Sequence, residues 1–176
     1  DQFFNAGSYW RVSSRAAPHN MYTNFERLDT LNQAKGYTSS KVSSWPRKDD
    51  SKLATPTART IDFNISNGAA YRVQYSYDPA TNTYHRTLGG APHHSTSSEA
   101  DRAGKILTPK VVIAIITSYS TAGKYSVYGV TGSGAMLVFQ DGGVTAGTWT
   151  KDSRNAQYVF KDSAGATLKL NTGQTW

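Results

Sequence analysis

The chain contains no cysteine among its 176 residues. This absence excludes disulfide bonds, thiol chemistry and any zinc site that uses cysteine ligands. It leaves the cellular compartment open, because cysteine-free chains are compatible with either side of a membrane.

Long hydrophobic runs are also missing. The longest apolar stretch, Val111–Ile116, has the length of a strand, whereas a helix that spans a bilayer needs about 20 predominantly apolar residues. No export signal begins at Asp1, so we expect any such signal to have been removed or to lie outside this chain.

Charged residues are scarce, at 18% of the chain, and the mean hydropathy is −0.54. Serine, threonine, glycine and asparagine are abundant instead, together with 11 tyrosines and 4 tryptophans. Coiled coils need more alanine, glutamate, lysine and leucine, and disordered chains are poor in aromatic residues. The composition therefore indicates a globular protein rich in strands and turns.

The charge that is present has a positive balance: 19 basic and 12 acidic residues give a net charge of +7. The excess is spread out, with 14 basic and 9 acidic residues up to Lys110 and 5 and 3 after it. Diffuse positive charge favours weak contact with anionic polymers, such as teichoic acids, nucleic acid or phospholipid surfaces. Because no basic run is longer than Arg47-Lys48, the pattern argues against nucleic acid.

One helix is predicted, over residues 23–35. Thr23 and Glu26 have the spacing of a capping box, apolar residues recur at helical spacing after them, and Gly36 supplies a left-handed stop. Residues 37–57 are rich in serine, lysine, aspartate and proline, which predicts a loop or connecting arm.

Alternating apolar residues and glycine-containing turns predict about eight strands after this helix. Nine segments carry these patterns, near residues 61–65, 71–77, 83–87, 111–119, 124–130, 135–140, 144–150, 156–160 and 166–170. The stretch 111–119 is apolar on both faces and predicts a central strand. Phe139, Trp149, Phe160 and Leu168 should share one core. The fold class is therefore α+β and mainly antiparallel, in a single domain over residues 1–176, with a subdivision near residue 120 as the alternative.

Two adjacent histidines, His93 and His94, lie in a polar loop that also holds Asp101. Neighbouring residues of an extended backbone point apart, so one metal ion rarely uses both. A site made of one of these histidines and Asp101 would need a third ligand, which we do not identify. We therefore predict no metal and no cofactor, and His93, His94 and Asp101 are only weak candidates for metal ligands.

The segment before the helix is a second candidate region. Arg11 and Arg15 precede His19 and Asn20 there, and a helix N-terminus together with two guanidinium groups gives a positive potential that suits an anion. The structural alternative is that Asn20 caps a turn, His19 bonds a carbonyl and the arginines pair with aspartates.

Hydrolase and nucleotide-binding motifs are missing. Gly132-Ser133-Gly134 comes nearest to a nucleophile elbow, but it lies between predicted strands and is predicted to be a turn. The glycines near Gly142 do not open a helix, so they form no nucleotide fingerprint. The carboxylate pairs Asp49-Asp50 and Glu99…Asp101 lie in loops, and nothing distinguishes either from a solvated loop.

Several motifs together resemble the bacterial YerB-like lipoprotein family, a family of unknown function. The most specific is Trp-Arg-x-x-x-Arg-x-Ala-Pro-His-Asn-x-Tyr, from Trp10 to Tyr22. The others follow in the family's order, at Tyr71-Arg72-Val73, Tyr84-His85-Arg86, Gly90-Ala91-Pro92-His93, Lys110-Val111-Val112, Gly134 to Gly142, Gly147-Thr148-Trp149 and Asp162 to Trp176.

The resemblance implies an extracytoplasmic protein that is membrane-anchored through a lipidated N-terminus not present in this chain. It also implies that the chain corresponds to the C-terminal part of such proteins, so that the absent N-terminal half, or another chain, packs on residues 1–9. It implies no reaction. The sequence departs from the family where Asp101 follows the second Pro-His only after extra residues, and where Lys110 replaces an expected asparagine.

Two functions stay open from the sequence. The first is a non-catalytic binding or scaffolding module of the cell envelope, whose partner is a protein or an anionic envelope polymer, since aromatic rings stack and guanidinium groups bind carboxylate or phosphate. The second is an enzyme acting on an envelope polymer, with His19 and His93 as acid and base. The candidate anion-binding residues are Arg11, Arg15, His19, Asn20, Tyr22, Arg86 and His93.

Overall fold

The computed structural model describes residues 4–18, 20–40, 42–64, 68–95, 104–123 and 125–176. The chain divides into two compact units, Asp1–Ser43 (unit 1) and Ser44–Trp176 (unit 2). Their boundary lies in the loop predicted over residues 37–57. The single domain, and its subdivision near residue 120, stay predictions from the sequence.

Unit 1 contains the helix, α1, at Phe25–Ala34. Asn24, rather than Thr23, caps it, because the Asn24 side chain accepts a hydrogen bond from the Arg27 amide at 3.0 Å. The Thr23 hydroxyl instead donates to the Ser8 carbonyl at 2.8 Å. The helix therefore begins two residues later than predicted, and the left-handed Gly36 (φ 73°) follows its end as expected.

Unit 1 also contains a 3-10 helix, Ala6–Ser8, and a short antiparallel pair, β1 (Trp10–Arg11) and β2 (Met21–Tyr22). No described side chain of α1 is fully buried, and Phe4 is 87% exposed. The packing of an N-terminal half, or of another chain, on residues 1–9 stays a prediction.

Unit 2 is built from strands. Their bounds are β3 (Arg47–Lys48), β4 (Thr60–Phe63), β5 (Val73–Asp78), β6 (Thr83–Leu88), β7 (Ala91–Pro92), β8 (Val112–Ile115), β9 (Tyr119–Ala122), β10 (Tyr125–Tyr128), β11 (Gly132–Gln140), β12 (Gly143–Lys151), β13 (Val159–Asp162) and β14 (Leu170–Asn171). A 3-10 helix, Ala69–Tyr71, precedes β5. None of the helices that the structure describes is long and apolar enough to cross a bilayer.

These strands form two antiparallel sheets of four, in the orders β4-β5-β6-β7 and β13-β12-β11-β8. β9 and β10 form a separate hairpin, and β14 pairs with β3 in parallel. One helix with mainly antiparallel strands confirms the predicted α+β class. Ser133 is a correction: it lies in β11 opposite Thr150, not in a turn.

The glycine beside it explains that error. A Cβ at Gly134 would lie 2.5 Å from the Ile116 carbonyl oxygen and 2.8 Å from the Trp149 ring nitrogen. Glycine is needed here so that the tryptophan ring can approach the strand backbone, not so that the chain can turn.

Two hydrophobic cores lie within unit 2. The first core holds Ile61, Val73, Tyr75, Tyr77, Tyr84, Val112 and Phe139, and the second holds Val111, Met136, Val138, Trp149, Phe160 and Leu170. Leu168 packs against the second core with Trp149 and Phe160, as predicted. Phe139 does not, because it follows Val138 on β11 and successive strand residues point to opposite faces.

β8 corrects a second expectation. It lies at the edge of its sheet rather than at the centre, and the last residues of the chain run along its other side. There the Trp176 amide donates to the Val111 carbonyl at 3.0 Å, and the Ile113 amide donates to the Trp176 carbonyl at 2.7 Å. The segment that contains β8 is apolar on both faces because Val111, just before the strand, packs in the second core and Val112 packs in the first.

Candidate functional site

Arg86 is a buried cation in unit 2. It lies on β6 directly opposite Tyr75 of β5, and side chains paired across neighbouring strands share a face of the sheet. That face carries Tyr84 into the first core, so Arg86 is drawn inward and is only 9% exposed. A buried charge is costly unless its surroundings satisfy it, which makes the contacts of this guanidinium group informative.

The guanidinium group is surrounded by rings. Its Nε donates to the Tyr75 hydroxyl at 3.3 Å, and its Nη1 donates to His93 Nδ1. The Trp176 ring centroid lies 5.2 Å from the guanidinium carbon and the Tyr75 centroid 5.9 Å from it, both within the range of cation–π attraction. Among the described residues, no carboxylate forms an ion pair with Arg86. The charge is therefore held by aromatic and imidazole groups.

The backbone holds His93 beside Arg86. The His93 amide donates to the Arg86 carbonyl at 2.9 Å, and the Leu107 amide donates to the His93 carbonyl at 2.9 Å. Because a guanidinium group has donors and no acceptor, the His93 Nδ1 that faces it carries no proton. The imidazole is thus neutral in this contact, with its proton on Nε2.

An open cavity of about 290 Å³ adjoins this cluster through Leu107, whose backbone bonds both Arg86 and His93. Its lining is Ser95, Lys105, Ile106, Leu107, Thr108 and Gln174. Among the described residues of this lining, Lys105 alone is charged, and its charge is positive. We call Arg86, Tyr75, His93, Trp176 and this cavity the Arg86 site. A positive cavity beside an aromatic-held arginine suits an anionic group.

The candidates in unit 1 form a different arrangement. Arg11 Nη1 donates to the Asn20 side-chain oxygen at 2.5 Å, and the Asn20 amide nitrogen donates to the Val12 carbonyl at 3.0 Å. Asn20 is buried and closes the loop between β1 and β2, and Arg11 bonds this asparagine rather than an aspartate. Arg15 and Tyr22 are exposed, and His19 lies outside the described residues.

The sequence candidates therefore fall into two groups, one in each unit. Arg86 and His93, both candidate anion-binding residues, are in contact in unit 2. Convergence of these two with Arg15 and His19 stays a prediction.

The metal candidates His93 and His94 have separate partners. His93 Nδ1 accepts from Arg86, whereas His94 Nδ1 lies 2.5 Å from the Gly104 carbonyl oxygen and donates to it. No group of three histidine, aspartate or glutamate side chains in the described ranges is placed to hold a metal ion. Asp101 lies outside those ranges.

Three residues of the Arg86 site were not predicted from the sequence. Tyr75 was assigned to a strand, Lys105 to a polar loop, and Trp176 to a family motif. The alternation of β5 could have placed Tyr75 opposite the Arg86 face, but contact of Trp176 with Arg86 depends on the C-terminal segment lying along β8, for which no local pattern exists.

A second polar cluster surrounds Asp141, in the turn between β11 and β12. Asp141 and Gly142 both have positive φ, 57° and 76°, as a two-residue hairpin turn requires. The carboxylate accepts hydrogen bonds from Lys48 Nζ (2.5 Å), Asn171 Nδ2 (2.7 Å), Asn82 Nδ2 (2.9 Å) and the Ser51 amide (3.1 Å). Three of these donors meet Oδ1 and Lys48 meets Oδ2, so the cluster ties loops and strands together.

Ionisation of Asp141 follows from these contacts. Burial raises the pKa of its carboxyl, but the hydrogen bonds from Lys48, Asn82, Asn171 and the Ser51 amide outweigh burial, so the pKa is lowered overall. The carboxylate is charged in the folded protein at neutral pH.

Comparison with known proteins gives the family. Residues 61–176 match the family described as protein of unknown function (DUF3048), C-terminal domain. The fold is similar to that of the YerB protein from Bacillus subtilis, whose crystal structure superposes with a TM-score of 0.74 at 20% sequence identity. The similarity covers 96% of this chain and 55% of that one, so the chain spans little more than half the length of YerB. The comparison with curated proteins gives no match.

The matched residues contain β5 to β14, and with them most of both cores, the Arg86 site and Asp141, whereas Lys48 and Ser51, which donate to Asp141, precede the match. The resemblance to the C-terminal part of YerB-like proteins is confirmed, and the chain belongs to the DUF3048 family of proteins of unknown function.

Proposed function

We propose that this chain is a non-catalytic binding module that holds an anionic group, phosphate or carboxylate, at the Arg86 site. The observation that carries the proposal is a buried arginine whose described neighbours are two aromatic rings and a neutral imidazole. Because no carboxylate of the described residues pairs with it, the guanidinium group keeps its positive charge for an incoming anion. Lys105 on the adjoining cavity adds a second cation within the same surface.

The proposed partner is an anionic polymer of the bacterial cell envelope, met outside the cytoplasm. Support for this comes from the net charge of +7, which favours polyanions, and from the resemblance to lipoproteins. Binding rather than catalysis is favoured by His93, whose Nδ1 is already occupied by Arg86. Because Nδ1 accepts from Arg86, the ring proton lies on Nε2, and that nitrogen cannot act as a general base in this contact.

Calorimetric or NMR titration with phosphate, sulfate and a muropeptide mixture tests the site. We expect a dissociation constant between millimolar and micromolar, roughly −4 to −8 kcal/mol of binding free energy. Lys105→Gln should weaken binding several-fold, because it removes a positive charge from the cavity lining. Lys105 is exposed, so its loss should leave the fold intact. Arg86→Gln should abolish binding at about 10 mM ligand, well above the weak end of that range.

Lys161→Gln is the matched control, since Lys161 is an exposed lysine on β13 outside the Arg86 site. Circular dichroism of Arg86→Gln checks that the variant is folded. Equal binding by the Lys105→Gln, Arg86→Gln and wild-type proteins, or no binding by wild type at that concentration, would contradict the proposed site.

A further inference from the structure

The C-terminal end of α1 and the segment after it border an open cavity in unit 1. Its volume is about 550 Å³, which lies within the usual range for ligand pockets. The lining consists of Asp29, Asn32, Gln33 and Tyr37 with the hydroxyl residues Thr38, Ser39 and Ser40. We call this cavity with its seven lining residues the α1 cavity. All seven belong to unit 1, so the α1 cavity shares no residue with the Arg86 site.

The helix places three of these side chains together. Asp29, Asn32 and Gln33 are three and four positions apart along α1, so they lie on one face of the helix. The left-handed Gly36 (φ 73°) then redirects the chain after the helix, and residues 38–40 line the same cavity as that face. A carboxylate, two carboxamides and three hydroxyl groups therefore border one space.

Tyr37 is positioned by the end of the helix. Its amide donates to the Asn32 carbonyl at 2.8 Å, and the Gly36 amide donates to the Gln33 carbonyl at 3.0 Å. These two bonds form a Schellman motif, which ties the residue after the left-handed glycine to the last turn of the helix. The backbone of Tyr37 is thus fixed beside the cavity, while the residue itself is 67% exposed. Much of its ring is therefore available for contact with a ligand.

The polar groups of this lining are unused within the chain. None of the seven side chains forms a hydrogen bond or an ion pair with any other residue that the structure describes. Six of the seven are uncharged, and the remaining one, Asp29, is an acid. Amide and hydroxyl groups both donate and accept hydrogen bonds. Since the described lining includes no lysine or arginine, it suits an uncharged ligand rich in hydroxyl groups rather than an anion.

From this arrangement we propose that the α1 cavity binds an uncharged carbohydrate chain. The Tyr37 ring packs on the apolar C–H face of a sugar ring and keeps its own hydroxyl in water, while the carboxylate and carboxamides of α1 bond to the sugar hydroxyls. Peptides, by contrast, are bound mainly along strand edges or in apolar grooves. The helix and loop that line this cavity offer no strand edge, and every lining side chain carries a polar group. The inference goes beyond the proposed function, which concerns an anion at the Arg86 site.

NMR titration of the isotope-labelled whole chain tests the proposal. The probes are two uncharged oligosaccharides, cellotetraose and tetra-N-acetylchitotetraose, and an uncharged peptide, acetyl-tetraalanine amide. We expect at least one of the oligosaccharides to shift the Tyr37 amide signal and the side-chain amide signals of Asn32 and Gln33. The shifts should saturate with a dissociation constant of about 1 mM, at the weak end of specific binding.

Variants of the lining identify the groups that bind. Tyr37→Ala should raise the dissociation constant about tenfold, because it removes the ring on which the sugar packs. Tyr37→Phe keeps that ring and should bind nearly as wild type does. Since Tyr37 is exposed, neither variant should change the thermal melting midpoint. Tyr71→Ala is the matched control, because it removes an exposed tyrosine of unit 2 and should leave oligosaccharide binding unchanged.

The result is separable from that for the Arg86 site, since Arg86→Gln should bind the oligosaccharides as wild type does. Three results would overturn the proposal. One is no saturable shift at about 20 mM of either oligosaccharide, well above the expected constant. Another is equal binding by wild type and Tyr37→Ala. The third is a shift of the same signals by the peptide but by neither oligosaccharide, since the cavity would then bind a peptide.

Discussion

Replacing Trp149 by alanine is expected to lower the free energy of unfolding by about 3–5 kcal/mol, the usual cost of removing a large aromatic side chain from a core. Trp149 is 1% exposed and fills the second core with Phe160 and Met136. Its ring nitrogen also donates to the Ile116 carbonyl at 3.0 Å. The variant therefore leaves both a cavity and a carbonyl that has lost a donor. Urea unfolding followed by circular dichroism measures the loss.

Two further variants sharpen this measurement. Trp149→Phe keeps most of the ring volume but not the hydrogen bond, so it should cost less than alanine. Tyr71→Ala removes an aromatic residue that is 58% exposed and should change stability by roughly 0.5 kcal/mol at most. A loss below about 1 kcal/mol for Trp149→Ala, far under the range for buried aromatic residues, would contradict the packing of the second core.

Replacing Asp141 by asparagine is expected to cost about 3 kcal/mol of stability at neutral pH, near the lower end for breaking a buried ion pair. The change keeps the shape of the side chain but removes the charge that Lys48 contacts at 2.5 Å. The side-chain nitrogen of the new asparagine is itself a donor. It faces either Lys48 or the donors from Asn82 and Asn171, so one donor faces another. Lys48 itself is partly exposed and can regain water, which limits the loss.

The same substitution should remove part of the acid sensitivity of the protein. The pKa of Asp141 is lower in the folded state than in the unfolded chain, for which carboxyls of this type titrate near 3.9. Its stabilising contribution is therefore complete above that pH and is lost as pH falls through the lower, folded pKa. Wild type should lose this contribution between about pH 5 and the folded pKa, whereas Asp141→Asn should not.

Asp62→Asn provides the control for that experiment. Asp62 also has a lowered pKa, because of its hydrogen bond from Arg72, but the pair lies on the surface. Water and salt screen such a pair, so the variant should resemble wild type in the same titration. If Asp141→Asn and wild type lose stability in parallel between pH 5 and pH 2, the Asp141 cluster does not have the role described here.

Local patterns in the sequence predicted the elements of the fold well. Gly36 ends α1, and Asp141-Gly142 forms a tight hairpin turn, because both signals depend on backbone conformation over a few residues. The pairing of distant strands left no such signal. β8 was expected in the centre of a sheet because Val111 and Val112 are both apolar, yet that pattern also arises at an edge strand placed between two cores.

The candidate site shows the same contrast between local sequence signals and contacts of distant residues. Arg86 and His93 were selected from the sequence because they lie in family-like motifs, and the turn between β6 and β7 brings them together. Their neighbour Trp176 lies 90 positions along the chain from Arg86, and only the tertiary fold places its ring there. Asn20 was ambiguous for a different reason, since an asparagine that closes a loop and one that faces a ligand look alike in a sequence.

The parallel pairing of β3 with β14 governs how unit 2 responds to mechanical force. The Leu170 amide donates to the Pro46 carbonyl at 2.9 Å, and Arg47 Nη1 donates to the Asn171 carbonyl at 3.0 Å. β3 lies at the start of the unit and β14 near its end, so tension between the two ends runs along these strands in opposite directions. The bonds are then loaded together in shear rather than opened one at a time, and Asp141, which holds both Lys48 and Asn171, resists the same displacement.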